Sequence, residues 1–91
     1  MEQINLEEVA AFAALLYTPE RVAMALELDY DEVEAAMMDR NHPIFRAYWK
    51  GYLSAEAPIR ASIIKLAKNG SSPAQTLTVK MMEQNEIRRD L

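Results

Sequence analysis

Residues 19–38, "PERVAMALELDYDEVEAAMM", set the architecture of this 91-residue chain. Two short helical segments stand in this stretch, about four residues apart. A small residue, Ala23, occupies the point where the two helices would cross, and Leu28 occupies the position that plugs the turn between them. Val22 and Val33 have the spacing of apolar residues that face one another. The pattern predicts two helices packed together around Ala23.

This arrangement resembles the helix-turn-helix of bacterial and phage DNA-binding proteins. The turn position that usually holds glycine is Glu27 here, so either a non-glycine residue adopts a left-handed conformation or the turn differs. The second helix also carries carboxylates, which the phosphates of a duplex repel. These acidic residues are Asp29, Asp31, Glu32 and Glu34. Two interpretations are therefore open: a helix-turn-helix that reads DNA, and a three-helix core whose acidic helix does not contact DNA. The second is the favoured interpretation.

The rest of the chain predicts an all-α fold of about five helices. Polar residues with N-cap character precede the first three helices, and Pro19 suits a first helical position. The N-cap candidates are Asn5, Thr18 and Asp29. The first helix should bury an apolar stripe at helical spacing. That stripe consists of Val9, Phe12, Ala13 and Leu16.

A long helix is predicted from Pro43 toward Asn69, followed by a last helix opened by a Ser72 cap and Pro73. Because an interior proline removes a helix hydrogen bond, we expect a kink or short break near Pro58. Asn69-Gly70 should stop the long helix in a left-handed conformation. The apolar stripes of this hairpin are Ile59, Ile63, Leu66 and Ala67, then Ala74, Leu77, Thr78, Met81 and Met82. We expect a single domain over 1–91, with a helix-turn-helix-like part in 1–40 and a helical hairpin part in 43–86.

Composition excludes several kinds of site. The chain has no cysteine and one histidine, so a disulfide framework or a thiolate zinc site is impossible. With two glycines it has no dinucleotide- or phosphate-loop pattern, and the lone His42 has no nucleophile beside it. We therefore expect no enzyme activity, no cofactor and no metal. The acidic N-terminus and the lack of a long apolar run predict a cytoplasmic protein without a membrane span.

Charge is divided unevenly along the chain. Residues 1–39 carry a net charge of −9 and residues 40–91 a net charge of +5. Such a division suits a polyanion bound by the C-terminal part or two copies meeting head to tail, although ordinary solvated helix faces produce it as well. If nucleic acid is bound, the candidate phosphate contacts are Arg46, Lys50, Arg60, Lys65 and Lys68.

Aromatic residues are interleaved with the first two of these bases. Such a pattern allows stacking on exposed bases, but the same spacing is more typical of an aromatic core. The aromatic residues are Phe45, Tyr48, Trp49 and Tyr52. Core packing is the favoured interpretation.

In the C-terminal half, a helix that ends in Ala67-x-x-Gly70 is followed by a helix that begins with Pro73-Ala74 and continues through Leu77 and Lys80. This arrangement resembles that of the small terminase subunits and related phage or prophage DNA-packaging proteins. In that family a helix-turn-helix precedes a helical hairpin, whose first helix ends in an Ala-x-x-Gly turn. The matching residues are Ala67, Gly70, Pro73-Ala74, Leu77 and Lys80, together with the aromatic-to-glycine segment Tyr48–Gly51. The likeness spans about 18–84. It implies a non-enzymatic, oligomeric subunit that recognises double-stranded DNA and hands it to a large terminase subunit. The alternative is a helical protein–protein interaction module without nucleic-acid binding.

Overall fold

The computed structural model describes the backbone of residues 4–89 and the side chains of residues 4–85, and this part of the chain is all-α. The predicted fold class is confirmed. The described residues form five helices: α1 (Leu6–Ala13), α2 (Pro19–Ala25), α3 (Tyr30–Ala36), α4 (Pro43–Lys68) and α5 (Ser72–Arg89). None of the described helices is both long enough and apolar enough to cross a bilayer.

The chain divides into two compact units, Met1–Glu56 and Ala57–Leu91. The first unit holds α1, α2, α3 and the first part of α4. The second holds the remainder of α4 and all of α5. The division falls within α4.

The predicted N-caps of α1, α2 and α3 are confirmed. The side-chain oxygens of Asn5, Thr18 and Asp29 each accept a hydrogen bond from the backbone N–H three residues on, at 3.1, 3.2 and 3.1 Å. Each bond satisfies one of the N–H groups that a helix start leaves without a partner. These caps explain why three short helices begin at defined residues.

The core of the first unit draws on all four of its helices. α1 packs on α2, and α2 on α3. The central cluster consists of Val9, Ala13, Val22, Ala36, Ile44 and Tyr48, with Ala23 and Val33 also buried. Leu28 lines a small apolar cavity of about 10 Å³ among these residues, consistent with the predicted plug. Leu16 is instead 42% exposed, because α1 ends at Ala13 and the chain turns before reaching it.

The turn between α2 and α3 contains a residue in the left-handed conformation, although the position is not occupied by glycine. Glu27 has φ of 55°. The N–H of Leu28 bonds the carbonyl of Ala23 at 2.9 Å, and the N–H of Glu27 bonds that of Met24 at 3.3 Å. These two bonds form a Schellman motif, which closes the C-terminus of α2 and directs the chain into α3.

The helix α4 is continuous from Pro43 to Lys68, so the predicted short break at Pro58 is wrong, while a kink there stays a prediction. The α4 helix ends in a second Schellman motif, in which Gly70 has φ of 101° as predicted. The cap of α5 is Ser71 and not Ser72, because the Ser71 hydroxyl accepts from the N–H of Ala74 at 3.3 Å. Gln75 then donates its side-chain amide to the carbonyl of Ala67 at 3.0 Å, which ties the start of α5 to the end of α4.

Among the described side chains of the second unit, only Ala74 is buried. Ile63, Ala67, Thr78 and Met81 are half-buried, in line with the predicted stripes. The prediction is wrong for the other large members of those stripes, which are exposed. They are Ile59, Leu66, Leu77 and Met82. An amphipathic pattern identifies the apolar side of a helix but not whether two helices suffice to cover it.

Candidate nucleic-acid interface

The face that a helix-turn-helix would turn to DNA is acidic and exposed. Asp31, Glu32 and Glu34 on α3 all lie at the surface, as does the capping residue Asp29. Tyr30 donates its hydroxyl to Oε2 of Glu34 at 3.1 Å. This bond, with the charges of Glu34, Glu20 and Asp31, raises the pKa of Tyr30 above its ordinary value. The negative potential of this face opposes a conventional approach of α3 to a major groove.

Arg46 and Lys50 lie exposed on α4 within the first unit. They are four residues apart and so share one face of the helix. Nη2 of Arg46 donates to Oδ1 of Asn41 at 3.5 Å, a long bond that leaves most of the guanidinium's donors available. The two cations lie close enough along the helix to contact neighbouring phosphates.

Lys50 also stands at the edge of an open groove between α1 and α4. The groove has a volume of about 460 Å³ and is lined mostly by small side chains. Its lining residues are Leu6, Glu7, Ala10, Ala11, Ala14, Ala47, Lys50, Gly51 and Ser54. Glu7 lines the same groove, so its negative charge repels an anion that approaches Lys50.

The other three predicted bases belong to the second unit. Lys65 and Lys68 are exposed in the last turn of α4, whereas Arg60 is half-buried. Lys65 and Lys68 are three apart and point to one side of the helix. The structure thus supplies two separate basic pairs, Arg46 with Lys50 and Lys65 with Lys68, one in each unit.

The aromatic residues form a packed cluster, as the favoured interpretation predicted. Tyr48 is 3% exposed, and its ring stacks on that of Tyr52 with centroids 5.8 Å apart. The ring of Trp49 lies edge-on to both, at 5.1 and 5.4 Å. Trp49 and Tyr52 are partly buried against the core. Rings held in this way are not available as a platform for successive bases.

Sequence reasoning missed what the hydroxyl of Tyr48 does. It donates to the backbone carbonyl of Tyr17 at 2.8 Å, across 31 residues of chain. The bond holds the α1–α2 loop against α4. Burial, with the neighbouring Tyr52, raises the pKa of Tyr48. An (i, i+4) aromatic pattern indicates a packed face, but no local signal specifies a partner so far away.

His42 has a structural contact that accounts for its position. Its Nδ1 accepts a hydrogen bond from the N–H of Ile44 at 3.1 Å, so it caps the start of α4. Among the described residues, no group of three or more metal-ligating side chains comes together.

The chain matches no protein-family model, no curated protein and no solved structure. Its likeness to the small terminase subunits therefore rests on the residues of this chain alone.

Proposed function

We propose that this protein is a non-enzymatic DNA-binding subunit of the small-terminase type, in which the bases of α4 and not the acidic α3 contact the phosphates. The observation that carries the proposal is the contrast between these two helices. α3 exposes carboxylates, while α4 exposes Arg46, Lys50, Lys65 and Lys68. Contacts made to phosphates position a protein on the duplex without reading its sequence.

Binding of this kind is electrostatic and therefore depends on salt. Each phosphate contact contributes about 0.9 to the slope of log affinity against log salt concentration. Fluorescence anisotropy with a labelled duplex, at roughly 50 and 200 mM salt, measures that slope. Arg46→Gln/Lys50→Gln and Lys65→Gln/Lys68→Gln should each weaken binding and lower the slope.

The matched control is Arg40→Gln/Lys80→Gln, which removes two exposed cations outside the candidate set. If this variant loses as much affinity as the others, net charge alone governs binding and the assignment to these residues fails. Absence of binding by the unchanged chain at the lower salt concentration would refute the DNA-binding function itself.

A second candidate function, a helical protein–protein interaction module, is favoured by the apolar surface. Met24 is 71% and Met38 86% exposed, and the second unit adds half-exposed aliphatic side chains. Apolar side chains exposed to this extent supply surface that a protein partner can cover. Light scattering after gel filtration, with and without duplex DNA, separates the two functions, because a module of this kind would associate without responding to DNA.

A further inference from the structure

The open groove between α1 and α4 belongs to the first unit alone, because all of its lining residues lie within Met1–Glu56. Each helix lines it with residues spaced i, i+3, i+4 and i+7, which share one helix face. On α1 and its C-cap these residues are Glu7, Ala10, Ala11 and Ala14, and on α4 they are Ala47, Lys50, Gly51 and Ser54. Three of the four residues on each helix are small, so the two walls of the groove have matching patterns.

The groove is open because its walls lack large side chains. The backbones of α1 and α4 meet where Gly51 faces Ala10. Beside this closest approach, small side chains leave a volume of about 460 Å³. The Ser54 hydroxyl lies 2.9 and 3.1 Å from the carbonyl oxygens of Lys50 and Gly51, so its donor is used within α4. The groove therefore offers a ligand mainly apolar contacts and room for larger side chains than its own.

A helix is the kind of segment that fits between these two walls. Both walls are α-helices whose backbone groups are bonded within their own turns. An extended segment would therefore turn its N–H and carbonyl groups toward methyl groups that cannot pair with them. A helix satisfies its own backbone and presents side chains at the same spacing as the walls. Large aliphatic side chains at these positions would fill the space that the alanines leave.

Charge specifies what flanks those aliphatic side chains. Glu7 on α1 and Lys50 on α4 are both exposed and give the two walls opposite charges. A partner helix is complementary when it carries a basic side chain against the α1 wall and an acidic one against the α4 wall. Helix α5 of another copy does not present one exposed aliphatic row, because its exposed Leu77 and Val79 are two residues apart and lie on opposite sides.

We infer that the groove between α1 and α4 binds an amphipathic helix of another protein, with aliphatic residues toward the alanines, a basic residue against Glu7 and an acidic residue against Lys50. The inference rests on the protein-interaction function proposed above, and it gives that function a site and a class of partner. It requires neither DNA nor self-association. Because the lining residues span about two helical turns, the contact is smaller than a standard interface and binding should be weak.

Selection from a library of helical peptides tests this assignment without DNA. Stapled helices of about 14 residues, randomised along one face and at its two flanks, are selected for binding to the full chain. The selected helices should carry aliphatic residues on one face, basic residues on one flank and acidic residues on the other. Selection on Glu7→Lys should replace the basic flank by an acidic one, because the charge of the α1 wall is reversed.

Filling the groove tests where the selected helices bind. Ala11→Trp places a large ring in the groove from an exposed position, and it should weaken their binding by roughly tenfold or more. The matched control is Ala35→Trp, which changes an exposed alanine of α3 outside the groove and should leave binding unchanged. Circular dichroism establishes that both variants fold, and Ala11→Leu replaces Ala11→Trp if that variant does not.

Three results would overturn the inference. The first is a selection that yields no binding helix, or flanks that do not change on Glu7→Lys. The second is equal binding by the two tryptophan variants, which would place the contact elsewhere on the chain and leave the protein-interaction function intact. The third is self-association of the unchanged chain, measured by light scattering, that Ala11→Trp abolishes, since the occupant of the groove would then be another copy.

Discussion

Gly51 of α4 lies directly against the backbone of Ala10 in α1. A Cβ atom on Gly51 would lie 2.8 Å from both the Cα and the carbonyl carbon of Ala10, and nearer still to the carbonyl oxygen. The two helices thus approach as closely as their backbones allow. On helix propensity alone, this glycine costs about 1 kcal/mol relative to alanine, and the packing explains why it is there.

Gly51→Ala should therefore destabilise the protein, although it raises the helix propensity of α4. Because the obstacle is backbone, the helices must separate, at a cost of about 1–3 kcal/mol. Denaturant unfolding measures the change. Gly70→Ala serves as the comparison, since a Cβ there meets no atom within 4 Å and suffers only from the positive φ. A Gly51→Ala variant as stable as the unchanged chain would contradict the close approach.

Glu27→Gly should stabilise the protein by about 0.5–1 kcal/mol. Relief of the left-handed strain, about 1–2 kcal/mol, outweighs the extra freedom that glycine gives the unfolded chain. Glu27→Ala removes the same carboxylate but retains the Cβ, and it should bring no comparable gain. Equal stabilisation by both variants would assign the effect to charge and not to the backbone.

Tyr48→Phe should cost about 1 kcal/mol at neutral pH, because the carbonyl of Tyr17 loses its donor in a partly buried hydrogen bond. The raised pKa of Tyr48 has a further consequence at alkaline pH. Above the ordinary tyrosine pKa of 10.0, the folded chain holds a proton that the unfolded chain releases, so stability falls as pH rises toward the folded-state value. Chemical unfolding at several alkaline pH values should show a shallower decline for Tyr48→Phe than for the unchanged chain. Identical slopes would refute the role of this hydroxyl.

Asp29 caps α3 and also contributes negative charge to the exposed acidic face, and substitution can separate these two roles. Asp29→Ala removes the cap of α3 and should cost about 1 kcal/mol, whereas Asp29→Asn retains an accepting oxygen and should cost much less. In the anisotropy assay, both variants remove the same negative charge from the acidic face. A stability loss of the same size in both variants would show that charge, and not capping, is what Asp29 supplies.

Local signals made the helix starts predictable, whereas contacts between distant segments were not. Asn5, Thr18 and Asp29 cap through bonds that span three residues, so their sequence spacing contains the whole interaction. The approach of Gly51 to Ala10 depends on how α1 and α4 cross, and the spacing of apolar residues in the sequence does not specify that crossing. The sequence predicted Ser72 as the cap of α5, whereas the cap is Ser71. Two adjacent serines give nearly the same sequence pattern, and only the backbone conformation shows which of them caps the helix.

The residues of the candidate nucleic-acid interface were likewise predictable only where local signals suffice. The exposure of Lys50, Lys65 and Lys68 follows from their charge and could be predicted. The half-burial of Arg60 could not, because it depends on which side of α4 packs. The acidic character of α3 was legible from composition, and the structure adds the bond that joins Tyr30 to Glu34.

The bond between the Tyr48 hydroxyl and the Tyr17 carbonyl also affects the order in which the first unit forms during synthesis. Both α2 and α3 lie within the segment that this bond closes. Helices as short as α2 and α3 are marginal in water on their own, and the core that they share also needs Ile44 and Tyr48. A nascent chain that stops short of α4 therefore lacks the residues that cover α2 and α3, and the unit should form in one cooperative step once the start of α4 has been made.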